Sequence, residues 1–462
     1  MPLDAAGTAE LAALVGPGGL LGAAELAARD PGVDPRNFGA GLLVRPASTA
    51  EVARLLAYCH ERRIGVVPQG GRSGLAGGAE SRPGELIVSL ERLDAIEAFD
   101  PVSRTVVAGA GVRLGTLASL LATRSLGAGI DLAARDSATL GGLVSTNAGG
   151  LAAFRHGTMR DRVLGLEAVL ADGTVIGEAA RVRKRNEGLA LEQLFIGAEG
   201  TLGVVTRVAL ALVPEHGSAA TALVAVPDLA AAVVVCDALQ SADAFTPAAL
   251  ELMSGNHAAA NARQPGLAEF AGIVRAPWLL LVEVTAAAAT VAEDGLVEAL
   301  ALLNERGVVA DAVLAQSDAQ RRLMWRLRED WQIDCERPGA LWYDLSVPLA
   351  EVPAYVRALN QRIAAHDAAL GVAVIGHLAD GNLHVTVNAA APLSARYEEI
   401  APLVTEGLAA VGGSFSAEHG IGLEKKATLA RLGSPAKLRL MRGVKALFDP
   451  RGIMNPGKVI PG

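Results

Sequence analysis

Between residues 36 and 215, short runs of apolar, β-branched residues alternate with stretches of helical period. The runs GLLVRP (41–46), IGVVPQGG (64–71), ELIVSL (85–90) and TVVAGAGV (105–112) gather Val, Ile and Leu between turn residues, which predicts strands. Behind Ser48 and Thr49, two N-cap candidates with Glu51 in the first turn, the apolar residues Val52, Leu55, Leu56 and Cys59 recur at helical spacing. A second helix is predicted at LGTLASLLAT (114–123). Residues 216–415 repeat the alternation, with strands at TALVAVP, WLLLVEVT, LWYDLSVP, GVAVIGH and LHVTVN and an amphipathic helix at DLAAAVVVCDALQ. Residues 1–35 read as a short helical arm and turn, and residues 416–462 as a helix through Leu440 and a Pro-punctuated tail. The pattern predicts an α+β protein with domains at 36–215 and 216–415 and a C-terminal segment, without the fixed period of a repeat protein.

Composition narrows the function. The chain's 462 residues are about three times the usual ~150 per domain. With 51% hydrophobic and 19% charged residues the chain is globular, outside the disordered class. A net charge of −8 and 3% aromatics argue against a nucleic-acid partner, since the basic cluster Arg181, Arg183, Lys184, Arg185 is short. Cys59, Cys236 and Cys335 lack CxxC spacing, so neither a disulfide framework nor a thiolate metal site is expected, and a reducing, cytoplasmic setting is. No basic residue precedes Arg29, which speaks against a targeting segment. The uncharged run 137–154 holds too many glycines and hydroxyl residues for a membrane span and reads as a loop-rich binding segment.

Three glycine-rich segments fall inside 36–215: PQGGRSGLAGG (68–78), ATLGGLVSTNAGG (138–150) and FIGAEGTLGVVT (195–206). None is a Walker loop or GxGxxG, but together they allow close backbone approach to a large polar ligand such as a dinucleotide. With RHGTMRDRVLGLEAVLADGT (155–174) between the second and third, their order resembles the flavin-binding domain of the vanillyl-alcohol oxidase/p-cresol methylhydroxylase superfamily. The resemblance implies a two-part FAD-binding domain, an α+β substrate (cap) domain with an antiparallel sheet, and a short C-terminal helical segment returning to the flavin. It implies FAD contacts at Pro68, Gln69, Gly70, Gly71, Arg72, Ser73, Gly74, Leu75 and Gly78 in the first segment. In the second they are Thr139, Gly141, Gly142, Ser145, Thr146, Asn147, Gly149 and Gly150; in the third, Glu199, Gly200, Gly203, Val204 and Val205; and in the tail, Asn455. Arg72 and Ser73 stand after Gly71 where some members carry a His that bonds the flavin covalently, so the resemblance implies noncovalent FAD.

A second constellation joins GHLADGNLHVTVN (376–388) to SAEHGIGLEKK (416–426). Seven residues apart, His377 and His384 would face opposite ways on one strand, but Ala-Asp-Gly-Asn between them is turn chemistry, and a hairpin can bring both imidazoles together. With Glu418 they make a two-His, one-carboxylate metal set with an open position, and His419 can then act as a base. The isolated His60, His156, His216, His257 and His366 read as structural. This constellation resembles the C-terminal domain of the FAD-dependent D-2-hydroxyacid dehydrogenases (D-lactate, glycolate and D-2-hydroxyglutarate enzymes) and is spelled most like the D-2-hydroxyglutarate branch. The resemblance extends from about residue 36 to residue 458.

It implies a divalent metal, Zn2+ first with Mn2+ or Co2+ as alternatives, on His377, His384 and Glu418, with His419 taking the C2-hydroxyl proton while hydride passes to flavin N5. Arg328, in MWRLREDWQ, would meet the substrate carboxylate, with Gln332 one turn on where the family has Thr; the competing reading of Arg328 is a surface ion pair with Glu329 or Asp330. Two departures stand out: Trp342 replaces a Lys before Tyr343-Asp344-Leu345-Ser346, and Thr386 replaces an Asn. Losing a desolvated ammonium partner costs ~2–5 kcal/mol, so a pocket with Trp342, Tyr343 and Thr386 favours a small 2-hydroxy acid with a neutral or apolar side chain, D-lactate-like. Alternatives are a D-2-hydroxyglutarate dehydrogenase, a glycolate oxidase subunit, a non-redox flavoenzyme like the alkyl-dihydroxyacetone-phosphate synthases, and a non-catalytic flavin carrier subunit. The family's acceptors are electron-transfer flavoprotein, a cytochrome or a quinone, not NAD. This implies a cytoplasmic protein, peripheral to the membrane through its acceptor, and the family's frequent homodimers are compatible with it.

Overall fold

The helix Thr49–Arg62 forms where its spacing predicts: the Ser48 hydroxyl accepts the Glu51 N–H at 3.2 Å, Val52, Leu55, Leu56 and Cys59 are buried, and Arg63 ends it in the left-handed region. The structure, a computed structural model, describes residues 4–215, 218–330, 332 and 339–462; Cys335 and His216 lie outside these. The chain divides into two units, one of residues 1–215 and 418–462, the other of residues 216–417.

In the first unit Thr49–Arg62 packs with a four-stranded sheet in the order Leu20–Gly22, Leu42–Val44, Glu85–Ser89, Gly65–Gln69, in which the last three strands run parallel. An antiparallel five-stranded sheet follows, ordered Ile96–Asp100, Thr105–Gly109, Val204–Ala211, Val163–Val169, Val175–Glu178. The helices Leu114–Ala122 and Leu140–Thr146 share its core. The second of these corrects the loop expected over 137–154. Leu140, Leu143 and Val144 are buried, Asn147 closes the helix at φ 54°, and a Cβ on Gly141 would come within 2.7 Å of Ala110, so this glycine serves close packing of the helix.

The C-terminal segment completes the same unit. Val66 bridges Met454 in parallel, its N–H donating to Ile453 at 2.7 Å and its carbonyl accepting from Asn455 at 2.7 Å. The helix expected through Leu440 is two helices, Lys426–Leu432 and Pro435–Phe448. Gly433 separates them, and Ser434, accepting the Lys437 N–H at 3.2 Å, starts the second, which runs on to Phe448.

The second unit is built on a seven-stranded antiparallel sheet in the order Asp311–Leu314, Ser218–Val226, Trp278–Ala286, Thr246–Ser254, Gly371–His377, Asn382–Asn388, Leu341–Ser346. One face carries the main core with helices Leu229–Gln240, Ala289–Glu305, Val352–His366 and Tyr397–Thr405. The other face packs a smaller core under Gly255–Asn261 and Asp318–Glu329. Its polar remainder holds His377 and His384.

Candidate active site

In the first unit the three glycine-rich segments converge. A Cβ on Gly70 would lie 2.2 Å from Thr139 Oγ1, and one on Gly71 1.8 Å from the Ser137 carbonyl oxygen, so the first segment is pressed against the start of the second. The third joins them through the Gly197 N–H to Val144 (3.0 Å), the Glu199 N–H to Ser145 (2.8 Å) and Gly200 against Pro68. Asn455 ties in the tail, its Nδ2 donating to the carbonyls of Gly78 at 3.0 Å and Glu199 at 2.7 Å. Asn147 Oδ1 accepts from Thr158 and from the Arg160 N–H, and Thr146 caps back onto Gly142. Gly203 lies under Val169 and Phe195 and leads into Val204 and Val205 of the following strand. Gly74, by contrast, faces open space, and Ser73 and Leu75 beside it are partly exposed.

Glu199 is buried, and burial pushes its carboxyl up although it accepts the Ile421 N–H at 2.7 Å and the Gly422 N–H at 2.9 Å. Glu418 Oε2 accepts the Gly150 N–H at 3.0 Å, with His419 Nε2 3.8 Å from Glu418 Oε1. Arg72 has φ 56°, sits 5.2 Å from the Phe38 ring, and its pKa is lowered by burial.

In the second unit the hairpin forms as its turn residues require. The strand Gly371–His377 ends in the turn Leu378–Asp380. Gly381 turns the chain at φ 72° with the Val347 carbonyl 1.9 Å from where a Cβ would stand, and Asn382 resumes opposite His377. His384, two residues past Asn382, shares that face, and the imidazoles meet edge to face at 5.4 Å. Directly across the ladder from His377 lies Glu251, with Oε1 2.7 Å from His377 Nδ1 and Oε2 2.8 Å from an Arg328 amino group. Glu251 is 1% exposed; burial pushes its carboxyl up, but His377 and Arg328 outweigh it and hold it below the usual range.

Arg328 comes from the last turn of Asp318–Glu329, and it is this helix end that two further buried side chains clamp. Asn261 Nδ2 donates to the carbonyls of Leu327 (2.9 Å) and Asp330 (2.7 Å), and His257 Nε2 is 3.3 Å from the Arg328 carbonyl. Burial, then Arg328, lowers the His257 pKa to about 4, so the ring is neutral, with Nε2 lying 3.0 Å from Asn261 Nδ2 as well as beside that carbonyl.

Asp344 is paired with His384 in the ladder, 3.8 Å from its Nδ1. It accepts from Asn382 Nδ2 at 2.9 Å and from the N–H of Ala417, the residue before Glu418, at 3.0 Å.

Strand alternation sorts the remaining predicted residues. Trp342 and Thr386 are paired and lie on the His384 face, Trp342 being 53% exposed. Tyr343 points the other way: it is buried in the main core with its ring stacked 5.7 Å from Tyr397, so it is not brought to the histidines. Arg328 pairs with neither Glu329 nor Asp330 as the competing reading had it; Arg326 takes Asp330 at 3.2 Å. Gln332 donates its N–H to Asn261 at 3.1 Å. Glu251, Asn261, His257 and Asp344 were not singled out from the sequence. For Glu251 the signal was a lone carboxylate inside the apolar strand Thr246–Ser254.

Residues 40–177 match the family model described as FAD binding domain, and residues 215–459 that of the FAD linked oxidases, C-terminal domain. The chain belongs to the FAD-linked oxidase family. Within it, the chain is 37% identical to the mitochondrial D-2-hydroxyglutarate dehydrogenase of Bos taurus over 91% of its own length and 77% of the relative's. It is 35% identical to the D-2-hydroxyglutarate dehydrogenase of Xanthomonas citri pv. viticola over 90% and 88%. Crystalline p-cresol methylhydroxylase with substrate bound shares the fold at a TM-score of 0.73 and 16% identity, covering 98% of this chain and 95% of that one. The two-part flavin domain with its α+β partner is therefore this family's fold.

The residues present fit both groups the family implies. Gln69 Oε1, Thr139 Oγ1 and Asn455 Oδ1 are buried polar atoms on the converging loops without a hydrogen-bond partner among the described residues, a set a polar cofactor can satisfy. At the histidines, Glu251 engages His377 Nδ1, which leaves Nε2 as the ring atom of ligand type, and imidazole with carboxylate suits Zn2+, Mn2+ or Co2+.

Proposed function

We propose that this chain is an FAD-dependent dehydrogenase oxidising a D-2-hydroxy acid to the 2-oxo acid. The buried cluster His377–Glu251–Arg328, in a chain 37% identical to a D-2-hydroxyglutarate dehydrogenase, carries that reading. FAD, when bound, supplies the acceptor for the C2 hydrogen and its electron pair, and a divalent metal on His377, His384 and Glu418 supplies polarisation of the substrate oxygens. The chain does the rest. Arg328 holds the substrate carboxylate, His384 and Thr386 border the hydroxyl side, and His419 takes the hydroxyl proton. Arg72 in place of a flavin-linking His supports noncovalent FAD.

Trp342, exposed on the face of His384 where the resemblance to the D-2-hydroxyglutarate branch implies Lys, supports a small substrate without a second carboxylate, D-lactate-like. No helix among the described residues is long and apolar enough to cross a membrane, and the physiological acceptor is proposed to be electron-transfer flavoprotein, a cytochrome or a quinone. Cytoplasmic placement rests on the cysteines, of which Cys59 and Cys236 are buried and unpaired, their thiols pushed up to about 12 by burial.

The test is anaerobic bleaching of the oxidised flavin band by D- and L-2-hydroxy acids, with and without EDTA. Fast bleaching by D-lactate that EDTA abolishes and zinc restores is expected. D-2-hydroxyglutarate giving the higher kcat/KM would overturn the substrate assignment, and bleaching by no hydroxy acid would favour the carrier-subunit reading.

A further inference from the structure

Glu251 is fully inside the protein, yet its two oxygens face two different partners: Oε1 the His377 Nδ1 at 2.7 Å, Oε2 the Arg328 guanidinium at 2.8 Å. A carboxylate isolated in a strand interior is costly to bury unless its charge is answered and its lone pairs are used. Arg328 answers the charge. His377, as the remaining partner, then has its donor hydrogen fixed on Nδ1, which turns Nε2 into an acceptor of fixed orientation. The β-ladder supports this arrangement, because Glu251 and His377 are directly paired residues of neighbouring antiparallel strands, which keeps the carboxylate beside the imidazole.

We infer that Glu251 is a positioning residue that fixes the tautomer and aim of His377 for the metal, with Arg328 as the counter-charge that lets a carboxylate serve in that place. The inference rests on the metal site of the proposed function and adds to it a residue that touches neither substrate nor cofactor. It also couples two sites otherwise read separately, since the arginine offered to the substrate carboxylate and the histidine offered to the metal hang from one side chain.

Two double variants isolate the effect. Glu251→Gln with Arg328→Met leaves an amide oxygen able to accept the His377 Nδ1–H; Glu251→Met with Arg328→Met leaves none. Neither buries an unpaired charge, so both are expected to fold and to retain FAD. Zinc affinity is measured on chelator-stripped wild type and both variants by competition with a chromophoric chelator, alongside flavin content and melting temperature. The Gln variant is expected to bind zinc near the wild-type affinity and the Met variant about 10–100-fold more weakly, at equal flavin content. Equal zinc affinity in the two variants, with zinc binding intact in the wild type, would overturn the positioning role alone. A wild type that binds no zinc would overturn the metal site and this inference with it.

Discussion

At the scale of single residues, the same side-chain types do opposite work in different places. Arg328 and Arg326 are two positions apart on one helix, but Arg328 meets a buried carboxylate while Arg326 pairs with Asp330 at the surface. Arg328→Met is therefore expected to cost about 3–5 kcal/mol by stranding Glu251. Arg326→Met should cost less than about 1 kcal/mol. Urea unfolding of the two single variants measures the contrast. The glycines divide in the same manner. Gly71 has the Ser137 carbonyl 1.8 Å from where a Cβ would stand, whereas Gly74 meets nothing within 4 Å. Gly71→Ala should lower the stability of the flavin-free protein by about 1–3 kcal/mol or more, through overpacking. Gly74→Ala should leave it unchanged, which thermal melts of both apoproteins will decide.

At the scale of elements, the end of the helix Asp318–Glu329 hangs on Asn261 and His257 from the neighbouring helix. His257 titrates near 4 in the folded protein instead of 6.5. Its folded-state proton affinity is depressed, so between those values the unfolded chain binds more protons. Stability thus rises with pH through that window and is lost as pH falls from 6.5 towards 4. The full effect is about 3 kcal/mol, at about 1.4 kcal/mol per tenfold change in proton affinity. Replacing the ring by Gln should flatten the acid limb of the stability profile between pH 4 and 6.5; an unchanged slope in His257→Gln would show that the ring does not set it.

Elements were legible where one signal dominated. The Val52–Leu55–Leu56–Cys59 stripe gave its helix, and the turn chemistry between His377 and His384 gave the hairpin. The helix Leu140–Thr146 was hidden because its glycines, which suit tight packing against Ala110, look from sequence like loop glycines. Glu251 was hidden for a different reason: its partners lie 126 and 77 residues away, so the lone carboxylate in its apolar strand gives no hint of which side chains answer it.

At the scale of the whole molecule, the flavin-type unit takes its residues from 1–215 and 418–462, with residues 216–417 between them in the chain. Asn455, Lys445 and Glu418 all serve that unit, with Lys445 Nζ donating to the carbonyls of Thr201 and Met454 at 2.7 Å each. A chain ended at Ala417 is expected to purify without yellow colour, as judged by the flavin-to-protein absorbance ratio. Full flavin occupancy in that truncation would show that the tail is dispensable for FAD.

The bridge between Val66 and Met454 also sets a timetable for synthesis. Gly65–Gln69 is the outer strand of its sheet, and Met454 follows Val66 by 388 residues. At about 5–20 residues per second, the ribosome leaves that strand's backbone edge without its partner for roughly 20–80 seconds. An uncovered parallel edge is a template for pairing with other chains. Losses during production should therefore fall on nascent chains, sparing the finished protein, and a chaperone that shields such edges should raise yield without changing the melting temperature of what is made.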